Sequence, residues 1–146
     1  MEKLSIIIYS GFYDKIHYAL VLASAAAAIG RPVTLFFTMG ACRALKKSDS
    51  NKFPAWRCLP LSEEPQYKTV NDGGMLDDQF AAKNLATFDE LLQSCLQFGV
   101  KFMVCEMGLR AEEITTNSLR TDIKFEEGGV VTFLNDTSKD GTVIFI

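Results

Sequence analysis

The sequence predicts a three-layer α/β/α domain on a mainly parallel sheet of about five strands, and three observations predict it. Short apolar runs alternate with helical segments along the chain. The runs are apolar almost throughout rather than alternating with polar residues, as strands covered on both faces are. The first strand, helix and second strand fit within 35 residues, a βαβ spacing that implies a parallel pair. A length of 146 residues suits one domain, residues 1–146, on the usual scale of about 100–200 residues per domain.

Leu4–Tyr9 is rich in Ile and bounded by Ser10-Gly11, which reads as a buried strand. Asp14 is placed to cap a helix over Lys15–Ile29, which Gly30 and then Pro32 terminate. With six alanines this helix is apolar nearly all round, so it calls for a sheet on one side and another element or subunit on the other. Val33–Thr38 is the second buried strand. Thr87 and Glu90 form a capping box for a helix carrying Leu91, Leu92, Cys95 and Leu96 and ending at Gly99. Val100–Cys105 is the next strand, and a short polar helix is expected around Ala111–Leu119. Gly129–Ser138 is ambiguous: its Val, Thr and Phe favour strand, yet Val130, Val131, Phe133 and Leu134 fit an i, i+3, i+4 face, and a helix is chosen because Asn135–Gly141 then leads into a last strand, Thr142–Ile146.

A long excursion, about residues 40–86, separates the second strand from the capped helix and holds three of the four prolines. Structureless loops longer than about 12–15 residues are uncommon and usually functional. Charge is segregated within it. Residues 41–57 carry Arg43, Lys46, Lys47, Lys52 and Arg57 against Asp49 alone, whereas residues 61–90 carry seven acids against Lys68 and Lys83. Two solvated faces account for this pattern, and so does a lid or a subunit contact.

With 48% hydrophobic residues and 11 Phe the chain can bury a sizeable core, and its net charge of −3 argues against disorder and against general nucleic-acid binding, which needs a basic footprint. The longest apolar run, Tyr18 to Ile29 with Ser24 interrupting, is short of the ~20 residues that span a bilayer. No signal-peptide pattern is expected at MEKLSIIIYS. Cys42, Cys58, Cys95 and Cys105 form no CxxC pair and His17 is the only histidine. Free thiols in a reducing cytoplasm, with no metal and no cofactor, are therefore the expectation. GxGxxG, Walker A and GxSxG patterns are absent.

Ligands of parallel α/β sheets bind outside the carboxyl ends of the strands. That rule selects Ser10, Gly11, Asp14, Thr38, Gly40, Cys42, Cys105, Glu106 and Gly108 as candidate pocket or anion-binding residues. Cys105 ends a strand where the chain turns into a helix, and a thiol there could point into the cleft near helix N-termini. An unperturbed thiol is only about 3% ionised at pH 7, and a fall of one to two pKa units would make it a competent nucleophile. Glu106 opposes this if its carboxylate points the same way. Position alone also fits a buried, inert thiol. Cys95 falls on the apolar helix face and is expected in the core; Cys58 reads only as a free thiol, and His17 as a packing or surface residue.

Read together, SIIIYSGFYDKIHYALVLASAAAAIGRPVTLFFTMGACRALKK, VKFMVCEMG and GGVVTFL resemble the DsrE/DsrF-like family, in its DsrE-related, peroxiredoxin-like sulfur-carrier branch. The likeness runs through Gly30, Val33, Thr34, Phe36, Phe37, Thr38 and Gly40, the Gly73-Gly74-Met75 element, and Gly99 to Cys105. It implies a flavodoxin-like three-layer subunit that assembles into trimers or hexamers. It also implies a sulfur carrier or sulfurtransferase that relays sulfane sulfur as a persulfide on Cys105, between donor and acceptor proteins. One departure is that Cys105-Glu106-Met107 meets Gly108 at once, where relatives often place further residues; relatives also often lack a cysteine at Cys42. Two other function classes stay open: a non-enzymatic oligomeric scaffold, and a thiol redox protein pairing Cys105 with Cys42. The peroxidase Thr-x-x-Cys signature is absent.

Overall fold

The computed structural model describes residues 2–48 and 53–146. Asp49 and Lys52, part of the charge contrast above, lie outside the described residues. Five strands, β1 (Leu4–Ile8), β2 (Val33–Phe37), β3 (Lys101–Cys105), β4 (Phe125–Gly128) and β5 (Thr142–Phe145), form one sheet in the order β4-β3-β2-β1-β5. Every neighbouring pair is parallel.

The helices are α1 (Tyr13–Ala28), α2 (Gly73–Ala82), α3 (Phe88–Gln97), α4 (Glu106–Ala111) and α5 (Val130–Asp136). Strand side chains alternate between two faces. Leu4, Ile6 and Ile8 of β1, Val33, Leu35 and Phe37 of β2, and Phe102 and Val104 of β3 join the main core with α1 and α3. On the reverse face Phe36, Met103 and Cys105 form a separate small core with Phe133 of α5.

Most of the apolar surface of α1 is covered within the chain, though Tyr18 stays 59% exposed. The helix packs on β1 and β2 and against α3, and Tyr13 and His17 lie against Phe80 of α2. Its start also differs from expectation: Phe12 occupies the N-cap position, and Asp14 sits inside the first turn. There the Asp14 carboxylate accepts from the Ser62 N–H at 2.8 Å and from the Ser62 hydroxyl, tying the excursion to the helix. Gly30 has φ +91°, the left-handed conformation that lets the chain leave α1.

The excursion is ordered where it is described. Short 3-10 turns at Ala55–Cys58 and Pro65–Tyr67 lead to α2, whose cap is Asp72, accepting from the Met75 N–H. Buried Asp77 then accepts from the Tyr13 hydroxyl and, at 2.7 Å, from the Phe88 N–H, so the excursion itself caps the start of α3. Thr87 caps the same helix, accepting from the Glu90 N–H at 3.3 Å and donating to its carboxylate at 3.0 Å.

One expectation is corrected, one strand was not anticipated, and one expected helix packs less than its pattern suggests. The polar helix around Ala111–Leu119 is replaced by α4, which begins directly after Cys105, and a 3-10 turn at Thr116–Ser118. Strand β4 (FEEG) has no apolar run to announce it: as an edge strand it carries Glu126 and Glu127 exposed to solvent. Helix α5 forms within the expected segment, but of its apolar face only Phe133 is buried; Val130, Val131 and Leu134 are exposed.

Candidate functional site

The carboxyl ends of β1, β2 and β3 bring together three loops, and close backbone approach explains their glycines. A Cβ on Gly11 would lie 2.5 Å from an Arg43 guanidinium nitrogen and 3.0 Å from the Gly40 carbonyl. A Cβ on Gly108 would collide with the Met39 backbone nitrogen and approach the Cys42 sulfur at 3.1 Å. Met39 itself holds a left-handed φ of +48°, a sparsely populated conformation for a non-glycine residue. These contacts fasten the loops to each other. Gly11, Gly40 and Gly108 thus serve packing, with Thr38 buried beneath them and donating its N–H to the Ile8 carbonyl.

The two thiols at these strand ends are both fully buried. Cys42 follows β2 in a 3-10 turn, Met39–Leu45, with its sulfur 3.7 Å from the Phe37 carbonyl. Burial, reinforced by the nearness of Cys105 and Glu112, pushes the Cys42 thiol up to about 12. Cys42 is therefore a thiol and not a thiolate at neutral pH. Cys105 sits at the N-cap position of α4 with extended backbone (φ −82°, ψ 122°). Its side chain belongs to the reverse-face core with Phe36, Met103 and Phe133, so it does not open into the expected cleft. Glu106 next to it is exposed.

What covers Cys105 is held in place at the far end of α5. The Asp136 carboxylate receives Lys3 and Lys101 at 2.6 Å each and the Thr34 hydroxyl at 2.7 Å. Burial alone would raise this carboxyl, but those three hydrogen bonds outweigh it and bring it down to about 2. The sequence shows Asp136 only as one acid among many, because its partners come from three different strands' starts. Phe133 stacks on Phe36 at 4.8 Å between ring centroids.

Of the remaining candidates, Ser10 and Asp14 line a cavity of about 600 Å³ with Tyr18, Tyr67 and Phe145. It lies outside the ends of β1 and β5. There the α1 crossover leaves on one face and the α5 crossover arrives on the other, which is the topological switch point of the sheet. A second cavity of about 420 Å³ is lined by Arg43, Lys46, Lys47, Phe53 and Cys58. Cys58 is the exposed cysteine of the four, all of which are free; the sequence singled it out for nothing. Cys95 is core, as expected, and burial pushes its thiol up to about 12. His17 is a packing residue with Nε2 2.8 Å from the Ala86 carbonyl, and burial lowers its pKa. Among the described residues no group of three His, Cys, Asp or Glu side chains could hold a metal ion.

Comparison with known proteins adds to this geometry. The profile of the DsrE/DsrF/DrsH-like family matches residues 1–145. The chain is 25% identical over 157 residues to "Uncharacterized protein YrkE" of Bacillus subtilis (strain 168), covering 99% of this chain and 97% of that one. It is 26% identical over 119 residues to "Sulfur carrier protein DsrE2" of Allochromatium vinosum, covering 73% and 75%. Its fold superposes on MTH1491, a protein of unknown function from Methanobacterium thermoautotrophicum. The TM-score is 0.57 at 11% identity, over the whole of both chains. That likeness shows the fold alone.

Proposed function

Because the chain belongs to the DsrE/DsrF/DrsH-like family, we propose that it is a cytoplasmic sulfur carrier that holds sulfane sulfur as a persulfide on Cys105. The observation that carries the reading is similarity to a sulfur carrier protein across 73% of the chain, in a fold that ends its third strand on a cysteine. The Cys105 thiolate attacks the sulfane sulfur of a donor, and the donor's sulfur–sulfur bond breaks with its electron pair going to the leaving group. An acceptor thiolate later takes the outer sulfur and restores Cys105.

Access to Cys105 requires its cover to move. Helix α5 suits that role: it has seven residues, one buried side chain, and Gly128-Gly129 immediately before it. Elements with few buried contacts are the ones that open locally. Reduced protein treated with inorganic polysulfide should gain one sulfur on Cys105, removable by dithiothreitol. A Cys105→Ser protein that still carries that sulfur at full stoichiometry would sink the proposal.

Self-association completes the reading. Val143 and Phe145 of β5 and Val131 and Leu134 of α5 leave the reverse face apolar and half covered, and a second copy of this chain, in a trimer or hexamer, is the occupant that buries it. A second reading, a thiol redox protein pairing Cys105 with Cys42, has one observation in its favour: Cys105 is near enough to raise the Cys42 pKa. It requires a reversible Cys42–Cys105 disulfide after mild peroxide, and non-reducing peptide mapping without that link removes it.

A further inference from the structure

The sheet has two edges, and they are finished differently. Strand β4 pairs with β3 alone and β5 with β1 alone. An unpaired edge offers a row of backbone donors and acceptors to any other strand, and charged side chains are a common protection. Edge β4 has them: Glu126 and Glu127 are both exposed, and pairing two β4 edges would set these acids side by side. Edge β5 (TVIF) carries no charge and no proline, and its Val143 and Phe145 are exposed. The free backbone groups of β5 follow from its bonds to β1. Thr142 donates its N–H to the Lys3 carbonyl at 2.9 Å and Ile146 donates to the Ile7 carbonyl at 2.8 Å, while the Ile146 carbonyl accepts from the Tyr9 N–H at 2.7 Å. The N–H and C=O of one strand residue point to the same side, and successive residues alternate. Thr142, Ile144 and Ile146 therefore face β1, and Val143 and Phe145 direct both backbone groups outward, without a partner among the described residues.

We infer that β5 pairs antiparallel with β5 of a second copy of this chain, about a two-fold axis at Ile144, joining the two five-stranded sheets edge to edge. In that register Val143 of each copy lies opposite Phe145 of the other. Each such pair exchanges two N–H···O bonds, so every outward group of Val143 and Phe145 in both copies is satisfied. Ile144 then meets its own counterpart as a non-hydrogen-bonded pair. The side chains of Val143 and Phe145 become aromatic and β-branched cross-strand neighbours, a favourable combination, and no like charges face each other. Pairing β5 with β4 of a second copy would repeat without closing, whereas the symmetric β5 contact closes at two copies. The contact uses the edge and leaves Val131 and Leu134 of α5 to the face association above, and it does not depend on the chemistry of Cys105.

The parent protein tests the pairing without any substitution. Site-resolved amide hydrogen exchange of Val143 and Phe145 should slow at least about tenfold from dilute to concentrated chain, as amides drawn into a ladder do, while Ile144, already bonded to β1, keeps its rate. Cross-linking tests the register. In Cys58→Ser protein, which lacks the exposed native thiol, Ile144→Cys should close an intermolecular disulfide under mild oxidation. The Cα atoms of a non-hydrogen-bonded pair are about 4.5 Å apart, which a disulfide can bridge. Val143→Cys should not close one, because the two substituted residues stand two positions out of register. Fast exchange of Val143 and Phe145 at every concentration, no link at Ile144→Cys in a folded protein, or equal linking at the two positions would overturn the inference. A Val131→Ser chain that keeps the Ile144→Cys link would show that the edge contact stands apart from the face contact.

Discussion

The two faces of the sheet are built to different standards. One is closed by α1 and α3, and it buries Ile6, Ile8, Leu35, Phe37, Phe102 and Val104 almost completely. The other is closed by α5 alone, and there Phe133 is the one helix residue fully buried, while Val131 is 72% and Phe145 66% exposed. Apolar burial stabilises by roughly 25 cal/mol per Å², so the first face dominates the stability of the chain. The second holds Cys105 under a cover that little apolar area fastens. The contrast separates what keeps the chain folded from what gives a buried thiol access to its surroundings.

The largest effect expected is on the closed face. Phe102→Ala should cost roughly 3–5 kcal/mol in denaturant unfolding, as buried Phe truncations do. Phe133→Ala removes the same group from the thin face, and there the loss should stop at the free energy that holds α5 closed, because beyond it the helix simply opens. Its unfolding midpoint should fall less than that of Phe102→Ala, and alkylation of Cys105 should accelerate at least about tenfold. Equal midpoints with Cys105 still protected would erase the distinction between the faces.

Asp136→Asn should come next, at about 1–3 kcal/mol, because it leaves Lys3 and Lys101 without their shared carboxylate. The pH dependence has a definite sign. The carboxyl titrates at about 2 in the fold and at about 3.9 when unfolded. Its stabilisation is therefore complete above about pH 4 and is lost as the pH falls toward 2. The Asn protein should lack that segment of the acid-unfolding curve. The smallest effect on the folding of one chain belongs to Val131→Ser, within about 0.5 kcal/mol as for other exposed sites. The same change should lower the oligomer mass seen by light scattering, and an unchanged mass would release this surface from the interface.

The closed face is also the part most legible in the sequence. Continuous apolar strands, the Gly30 stop and the Thr87 capping box are local signals, and each specified its element. The thin face escaped for physical reasons. Strand β4 pairs on one side only and needs no apolar run. Val130, Val131 and Leu134 have the spacing of a buried face, yet a single short helix over a wide sheet buries just Phe133. The excursion reads as loop because what orders it is long-range: Asp77 with Tyr13 and Phe88, and Asp14 with Ser62. Strand order sets the ends of β2 and β3 side by side, which the sequence left as a condition for pairing Cys42 with Cys105, and no sequence pattern reveals that the Cys105 thiol turns under α5.

The most direct measurement is peptide-resolved mass spectrometry of the reduced native chain and its Phe133→Ala variant, sampled over time in inorganic polysulfide. One dithiothreitol-labile sulfur should appear on Cys105 in both, acquired faster when Phe133 is gone. A Cys105 that stays unmodified in both folded proteins would contradict it and leave that thiol a core residue.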